Sequence, residues 1–467
     1  MKAKLIIVGA GLGGCFLADS LASNYDITLI ELGTVPPLLQ GRVIDMATPA
    51  ITNPHIYSGL GGTTSVWHNG LIEIGDEVFS AKWPFRKSEL DPYYAQAYPK
   101  MAGIPQSTVT EAIEDLRTKY VKMGFPENKL GSGLFYPRQR INAWHSLKLK
   151  DRVSVVIGEV TALLSDEKHR IHHLIIKNSH GEHKIGGDVF VLAAGGLSTP
   201  LLLQDLSERL SLPSLQHAGY NYEDHPSAFV GEVTLDAPVY KLWNYSAPGT
   251  HGNLRLPFLV KQDGLDISFQ LRPAAIYNRD PGPRDKVVSV LTELRNQPYN
   301  LRPYLNLLTQ WDDILDILSF KFRIQLPTQH YSLLMVAEQP SSSFRAVWRN
   351  NGATDIYRKW DITENYTNTL QKSIYQLITN LGGKVKNSTV FPSWPRNLFS
   401  SSHHSGTARM ALSPDEGVCN SNGCVFGLEN LYVCDGSLIP ASGYANTGLT
   451  IAALALRMAN HLRTKLV

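Results

Sequence analysis

The 467-residue chain has few cysteines, little net charge and no long apolar run. Its formal charge of +3 is not gathered into a basic block or stripe, which argues against a nucleic-acid partner. No stretch has the uninterrupted apolar length of a membrane span, and the first strand begins too close to the N-terminus to leave room for a signal peptide. The composition predicts a cytoplasmic enzyme with two lobes and no integral membrane segment, although export with a signal-bearing partner stays open.

The four cysteines are too few for a disulfide scaffold. Cys15 and Cys434 fall in apolar segments and are predicted to be core residues. Cys419 and Cys424 share one loop, where they could form a disulfide, begin a metal site or remain free. Because no second cysteine pair exists, zinc is disfavoured, and we predict buried free thiols and no metal.

The N-terminal segment has the pattern of a dinucleotide-binding unit. Residues 4–8 predict a buried strand, residues 15–21 a helix, and the turn between them, residues 9–14, reads G-x-G-x-x-G. A second predicted strand, residues 26–30, ends at Glu31, about 20 positions after the glycines, which is the spacing that such units need. The full context of strand, turn, helix and acidic residue favours a ligand site over a simple glycine turn.

Each part of this motif has a physical role. Gly9 permits the tight turn, Gly11 lets a pyrophosphate approach the backbone, and Gly14 lets the helix pack on the strand. The helix N-terminus offers free N–H groups to the phosphates. Glu31 is expected to bind the ribose hydroxyls of an adenosine half, and it argues against a 2′-phosphate.

The C-terminal segment carries the polar groups of a candidate redox site. His403 and His404 precede a Gly-Thr step, and a predicted strand, residues 431–434, runs into Asp435. Asn446 stands just before residues 451–462, whose apolar residues keep the spacing of one buried helical face. The alternatives are a solvated loop histidine at position 403 and a plain helix cap at Asn446.

Between these ends the chain is interleaved, without repeats or long linkers. Residues 153–191 predict strands joined by turns, and residues 193–196 are small enough to let a backbone pass close to a ligand. Residues 230–391 are mixed and are predicted to form a substrate lobe, with a helix at residues 363–381. Residues 314–320 are apolar, which fits either an amphipathic core helix or a pocket for a lipid-like alcohol.

The motifs, in this order, resemble those of the glucose-methanol-choline (GMC) oxidoreductases, which are FAD-dependent enzymes that oxidise alcohols. The resemblance covers both ends of the chain well and the middle loosely. Besides the first glycine turn it rests on residues 59–67 (GLGGTTSVW), 83–85 (WPF) with 90–94 (LDPYY), 193–195 (AAG), 219–226 (GYNYEDHP), 338–340 (EQP) with 345–347 (RAV), 403–410 (HHSGTARM) and 443–446 (GYAN).

The resemblance implies an α/β fold with an α+β substrate lobe. A Rossmann-like FAD-binding domain (residues 1–80, 151–229 and 395–467) would be interleaved with an antiparallel-sheet substrate-binding lobe (residues 81–150 and 230–394). FAD is expected to be non-covalent, because Val66 stands where some members carry the histidine that binds FAD covalently, although His68 lies close enough to need a check. The cofactor-binding residues implied are Gly9, Gly11, Leu12, Gly14, Glu31, Gly62, Thr63, Trp67, Asn69, Val160, Ala194, Gly195, Asp435, Gly436 and Thr447.

The resemblance also implies the catalytic pair. His403, three residues before the Gly-Thr step, corresponds to the family's base, and Asn446 to its partner, whereas His404 is expected to be structural. A neutral imidazole can take the hydroxyl proton while the carbon loses hydride to flavin N5. The helix N-terminus at Thr447 would stabilise anionic reduced flavin. Asn446-Thr447-Gly448 replaces the family's usual Asn-Pro and loosens this turn.

The expected reaction is oxidation of an alcohol, with a small-molecule substrate and either O₂ or an electron-acceptor protein. The glycine loop and the G-Y-A-N ending are closer to the family's sugar- and polyol-oxidising branch, which predicts a sugar, glycoside or polyol hydroxyl. Four alternatives stay open: a hydrophobic alcohol, an FAD-containing lyase that uses the same histidine for proton transfer, a light-driven decarboxylase and a flavin-binding protein without activity.

Overall fold

The computed structural model of the protein describes residues 2–34, 38–39, 43–45, 56–236, 245–273, 290, 305, 329–350, 355–360 and 362–465. The helices are α1 (Leu12–Leu21), α2 (Asp76–Lys82), α3 (Asp91–Ala102), α4 (Gln106–Lys122), α5 (Thr199–Ser207), α6 (Glu364–Leu381) and α7 (Thr447–Thr464). The strands are β1 (Lys4–Val8), β2 (Asp26–Glu31), β3 (Leu38–Leu39), β4 (Val43–Asp45), β5 (Tyr57–Ser58), β6 (Leu134–Pro137), β7 (Val153–Ile157), β8 (Glu159–Ser165), β9 (Ile171–Asn178), β10 (Gly181–Gly186), β11 (Val189–Leu192), β12 (Pro226–Leu235), β13 (Gly252–Arg255), β14 (Phe258–Gln262), β15 (Leu265–Pro273), β16 (His330–Ala337), β17 (Val347–Trp348), β18 (Ile356–Arg358), β19 (Val385–Val390), β20 (Phe399–Ser400) and β21 (Leu431–Val433).

A parallel sheet of five strands, in the order β21-β11-β1-β2-β7, brings the two ends of the chain together. In β1 every residue after Lys4 is buried, as expected for a parallel strand that is covered on both faces. The predicted strand, turn, helix and second strand are confirmed. Helix α1 begins at Leu12 rather than at Cys15, because Gly13 and Gly14 lie inside its first turn and not in the loop before it.

The strands predicted for residues 153–191 form β7 to β11, of which β8, β9 and β10 make an antiparallel sheet beside the parallel one. A six-stranded antiparallel sheet has the path β14-β15-β16-β12-β19, with β20 paired to β12. Helix α6, predicted for residues 363–381, packs on β14 and β19. It begins after Thr363, whose Oγ1 accepts the N–H of Tyr366 at 3.1 Å and so caps the helix.

Helix α7 closes the fold, because it packs against both α1 and α3. It begins at Thr447, four residues earlier than the apolar periodicity indicates, so Asn446 is the residue that precedes its first turn. The predicted apolar face is buried at Leu454, Ala455, Met458 and Leu462. A hydrogen bond of 2.8 Å between the side chains of Tyr94 and Thr450 joins α3 to α7.

The four cysteines are buried free thiols, although Cys434 lies just after β21 rather than within it. No helix among these residues is long and apolar enough to cross a bilayer. The apolar stretch at residues 314–320 lies outside the described part of the chain. The division into two domains remains a prediction, and β12 crosses its boundary at residues 229 and 230.

Candidate active site

A cavity of about 1370 Å³ lies between the parallel sheet and the antiparallel sheet. Its wall on one side consists of the loops that follow β1 and β11, where Gly9 and Ala194 lie. On the other side it includes side chains of β12, β15 and β16, such as Phe229, Gln270 and Tyr331. A crevice beyond the carboxyl ends of parallel strands is the usual binding site in open α/β sheets.

The first glycine turn is shaped by close backbone contacts. Gly9 has a φ of +106°, and a Cβ there would lie 2.3 Å from the carbonyl oxygen of Ala193. A Cβ at Gly14 would lie 2.0 Å from the oxygen of Gly9, so this glycine packs α1 on the turn and does not reach the cavity. Among the described residues, a Cβ at Gly11 would have only one neighbour, the oxygen of Ala193 at 4.0 Å. The turn is therefore tight where it packs and open at Gly11, as a pyrophosphate site requires.

Gly13 makes a close contact that the motif did not predict. A Cβ there would lie 1.9 Å from the carbonyl oxygen of Cys434, directly after β21. The G-x-G-x-x-G pattern assigns no role to this position, and the strand it meets is more than 400 residues away in the sequence. Because the start of α1 packs directly against the end of β21, the glycines of the first turn lie beside Asp435.

Glu31 lies at the cavity wall at the end of β2, as the motif predicts. Its Oε2 accepts the N–H of Ala10 at 2.7 Å, and its Oε1 accepts the N–H groups of Leu32 at 2.9 Å and Gly59 at 3.0 Å. Burial raises its pKa, while these N–H groups oppose that change by stabilising the carboxylate. A carboxylate oxygen has room for about two hydrogen bonds, so Oε2 can also accept one from a ribose hydroxyl.

The second glycine loop lies against the first. Gly62 has a φ of +50°, and a Cβ there would lie 3.2 Å from the Cα of Gly11. At the end of the loop, Trp67 donates its indole N–H to the carbonyl oxygen of Ile141 at 2.9 Å. A Cβ at Gly448 would lie 2.6 Å from the Trp67 ring, so this ring rests on the first turn of α7. The two glycine loops and the start of α7 thus meet at one wall of the cavity.

Asp435 joins the ends of two parallel strands. Its Oδ2 accepts the N–H of Gly195 at 2.8 Å and the hydroxyl of Thr199 at 2.6 Å. Its Oδ1 accepts the N–H of Ser437 at 2.8 Å. The structure therefore shows it holding together the loops after β11 and β21, and its predicted contact with the ribityl or diphosphate groups stays a prediction.

His403 and Asn446, the predicted catalytic pair, line the same cavity. The His403 backbone N–H donates to Asp224 Oδ1 at 3.0 Å, and its ring Nδ1 lies 2.9 Å from Nδ1 of His225. Burial lowers the pKa of His403, and the Asp224 carboxylate opposes this only in part. Asn446 makes no side-chain cap bond to α7 and instead donates its amide to the carbonyl oxygen of Gly70 at 3.2 Å. Its side chain therefore does not act as a plain helix cap.

Behind these residues lies a charged network that the sequence analysis did not predict. Arg358 and Asp224 are fully buried, and their Nη1 and Oδ2 atoms are 3.6 Å apart. Arg358 also donates to the hydroxyl of Tyr222 at 3.0 Å, and His404 Nδ1 lies 3.0 Å from the same hydroxyl. Breaking a buried pair of this kind costs about 3–5 kcal/mol, so the network fixes the loop that carries both histidines. Residues 219–226 were noted as a family landmark, but nothing in the sequence pointed to Arg358.

The fifteen cofactor-binding residues predicted above all line the cavity, except for Gly14. His68 also lines it, and its pKa is lowered by burial and by the positive charges of Arg140 and Arg272. The wall contributed by the antiparallel strands carries apolar side chains, such as Phe229 and Leu334, together with polar ones. Arg272 donates to the side-chain oxygen of Gln270 at 2.5 Å, and the guanidinium of Arg255 lies 4.4 Å from the centre of the Tyr136 ring. These side chains had no signal in the sequence that separated them from ordinary strand residues.

The C-terminal part of the chain also matches known proteins. Residues 378–455 match the family described as GMC oxidoreductase. This segment includes His403, Asp435 and Asn446, so the resemblance to GMC oxidoreductases is confirmed for the part that carries the candidate pair. The match is to the family as a whole, and it does not single out the sugar- and polyol-oxidising branch.

Two curated relatives match over short stretches. The chain is 39% identical over 69 residues to a cholesterol oxidase of Acinetobacter baumannii, which is 15% of this chain and 12% of that protein. It is 38% identical over 55 residues to the long-chain-alcohol oxidase FAO4B of Arabidopsis thaliana, which is 12% of this chain and 7% of that protein. The matches span only a small part of the length of these relatives.

Solved structures share the fold over nearly the whole chain. Pyridoxine 4-oxidase from Mesorbium loti matches with a TM-score of 0.65 and 16% identity, over 99% of both chains. A formate oxidase matches with a TM-score of 0.62 and 14% identity, again over 99% of both chains. An FAD-dependent oxidoreductase from Chaetomium thermophilum matches with a TM-score of 0.59 and 14% identity over the full length of both chains. The predicted combination of a Rossmann-like parallel sheet with an antiparallel sheet is confirmed.

Proposed function

We propose that the protein is an FAD-dependent oxidoreductase that converts an alcohol into a carbonyl compound. The observation that carries the proposal is one cavity that joins the open glycine turn at Gly11 to His403 and Asn446. The match of residues 378–455 to GMC oxidoreductases supports it, as do the names of two relatives, cholesterol oxidase and long-chain-alcohol oxidase.

We further propose that the two domains have the boundaries predicted from the sequence, and that the protein is cytoplasmic.

FAD fits the residues that are present. The open position at Gly11 and the start of α1 would hold the pyrophosphate, and Glu31 the adenosine ribose. The start of α7 at Thr447 would face the flavin, where its partial positive charge favours an anionic reduced ring. Bound FAD supplies the two-electron acceptor, at N5, for the hydride that leaves the alcohol carbon.

His403 is the proposed general base. Because its Nδ1 is engaged by His225, Nε2 is the ring atom available to the hydroxyl group of a substrate. Burial lowers the pKa of His403, so the imidazole is neutral near pH 7 and can accept the hydroxyl proton. The proton moves from the alcohol oxygen to Nε2 as the carbon–hydrogen bond breaks, which leaves a carbonyl group.

Asn446 is proposed to position the same oxygen. Its amide nitrogen is held by Gly70, and a Cβ at Gly70 would lie 2.8 Å from that nitrogen, so the side chain is confined. The amide oxygen or the second N–H can then bind the substrate hydroxyl and fix its angle of approach.

We expect FAD to be bound without a covalent link. Val66 stands at the position where a histidine would be needed, and His68 is the neighbouring residue that could form such a link instead. Precipitation of the protein with acid is therefore expected to release all of the yellow colour into the supernatant. Colour that stays in the pellet of the native protein, but not in that of a His68→Gln variant, would instead identify His68 as the attachment site.

We propose a polar alcohol, such as a sugar, glycoside or polyol, as the substrate. The support is that Asn253, Arg255, Gln270 and Arg272 line the cavity beside apolar side chains such as Phe229, so polar side chains are present to bind the other hydroxyl groups of such a substrate.

A dye-linked assay tests the substrate class. Sugars, glycosides and polyols are compared with straight-chain alcohols and sterols, and carbonyl products are measured for each compound. We expect kcat/KM for the best polar compound to exceed that for the best apolar one by at least about tenfold. The reverse order would favour the hydrophobic alcohols for which the two relatives are named. Repeating the assay without dye, in air, separates O₂ from another electron acceptor.

A further inference from the structure

His225 is a buried histidine that lies between the candidate base and a serine. Only 1% of it is exposed, and it follows Asp224 directly before β12. Its Nδ1 lies 2.9 Å from Nδ1 of His403, and its Nε2 lies 3.1 Å from the hydroxyl oxygen of Ser442. Both ring nitrogens are therefore engaged, one toward the cavity and one away from it.

The contact between the two Nδ1 atoms can hold only one proton, because one nitrogen must donate and the other accept. If His225 donates, His403 carries its own proton on Nε2 and has no lone pair there for a substrate hydroxyl. If His403 donates, its Nε2 lone pair is free, and His225 must carry its proton on Nε2. The second arrangement is the one in which His403 can act as a base.

The surroundings of His225 favour the second arrangement. The Ser442 hydroxyl oxygen, 3.1 Å from His225 Nε2, can accept a hydrogen bond from it. The Gly443 backbone raises the pKa of the His225 ring, which is the effect of a carbonyl oxygen that accepts a ring N–H. Burial, followed by the nearby His403, outweighs this and lowers the pKa of His225 to about 3. The ring is thus neutral over the working pH range and carries one N–H.

The nearby charged groups do not hold the His403 ring in place of His225. Asp224 Oδ1 accepts the backbone N–H groups of His225, at 2.7 Å, and His403, at 3.0 Å. Its Oδ2 faces Arg358 and His404, each at 3.6 Å, and the hydroxyls of Tyr222 and Ser400. The carboxylate therefore fixes the two main chains, while the His403 ring is held by an imidazole.

We propose that His225 is a positioning residue that accepts the Nδ1 proton of His403 and donates its own Nε2 proton to Ser442. This arrangement would fix the tautomer of His403 in which Nε2 is the base, and it rests on the proposed alcohol oxidation. A neutral imidazole here does for orientation what a carboxylate does in many catalytic triads, without adding a buried charge.

Two variants test the role in turnover. His225→Leu removes both hydrogen bonds and is expected to lower kcat about 100-fold or more, with KM changed by less than about threefold, because the tautomer and not substrate binding is lost. His225→Gln can accept with its oxygen and donate with its nitrogen, and it is expected to recover at least about tenfold of that loss. Flavin content and reduction by dithionite serve as the check that each variant is folded.

A measurement that needs no turnover separates this proposal from the proposed function. In protein labelled with ¹⁵N-histidine, we expect the His403 ring, assigned through its loss in His403→Asn, to carry its proton on Nδ1. In His225→Leu the proton is expected to shift to Nε2 or to exchange between the two nitrogens. Protonation of His403 on Nε2 in the native protein, or an unchanged kcat in His225→Leu, would overturn the proposal. An absence of alcohol oxidation with Nδ1–H present would overturn the proposed function alone.

Discussion

Replacing His403 with alanine is expected to lower kcat for alcohol oxidation by about 10²–10⁴-fold, the usual contribution of a positioned general base. FAD should remain bound, because the His403 ring contacts His225, whereas the glycine turn is held by its own contacts with Ala193 and Glu31. Steady-state turnover and the flavin absorbance of the purified variant check the two parts of this result.

The pH dependence of kcat/KM is a second test of His403 as the general base. Burial lowers the pKa of His403, so its basic form persists below the ordinary histidine value of 6.5. The native kcat/KM is therefore expected to stay level as the pH falls to about 6.5 and to decline only below it. In His403→Ala this decline should disappear together with most of the activity. A native profile that already falls between pH 8 and 7 would contradict the assignment.

A substitution of His404, the neighbour of His403 in the sequence, tests which of the two histidines is the base. His404 Nδ1 lies against the hydroxyl of Tyr222, and we expect His404→Gln to lose much less activity than His403→Ala. A larger loss at position 404 than at position 403 would transfer the role of base to His404.

Replacing Gly11 with leucine is expected to yield a folded protein that does not retain FAD. Among the described residues, a Cβ at this position would have one neighbour, at 4.0 Å, and Gly11 lines the cavity, so a longer side chain would extend into the cavity. The same side chain would occupy the place where the pyrophosphate must approach the backbone. The ratio of flavin to protein absorbance should fall to nearly zero, while the melting temperature should stay close to that of native protein stripped of FAD.

Two other glycines serve as matched controls for this result. A Cβ at Gly13 would lie 1.9 Å from the Cys434 oxygen, so Gly13→Ala is expected to destabilise the fold itself. In the part of the chain that the structure describes, a Cβ at Gly75, before α2, would have no neighbour within 4 Å, and Gly75→Ala should stay both folded and yellow. A Gly11→Leu protein that remains fully loaded with FAD would move the cofactor site away from this turn.

Local sequence signals pointed to the first glycine turn and Glu31, and the family resemblance pointed to His403 and Asn446; all of these line one cavity, while their roles in binding FAD and in catalysis stay predictions. The glycine turn, Glu31 and the start of α7 each depend on a few adjacent residues, whose spacing follows from backbone geometry. The apolar periodicity alone places the starts of α1 and α7 too late, because glycines and polar residues belong to their first turns. The contacts of His403 with His225 and Asp224 could not be predicted from local sequence patterns.

The reason is that those contacts join distant parts of the chain. His225 and His403 are 178 residues apart, and His225 and Ser442 are 217 residues apart. A histidine beside an aspartate in the sequence does not show which of its ring nitrogens will meet another histidine. The buried Arg358 likewise becomes recognisable only when β18 brings it to Asp224.

The most direct test of the central claim is an anaerobic absorbance scan of the FAD-loaded protein with polar alcohols, run in parallel on native protein and His403→Ala. The account predicts that at least one sugar, glycoside or polyol bleaches the oxidised-flavin band of the native protein within seconds and yields one carbonyl product per flavin, while His403→Ala bleaches far more slowly and is still reduced fully by dithionite. If no alcohol bleaches a native flavin that dithionite reduces, alcohol oxidation is wrong for this protein, and non-redox use of the same histidine, as in an FAD-containing lyase, becomes the better account.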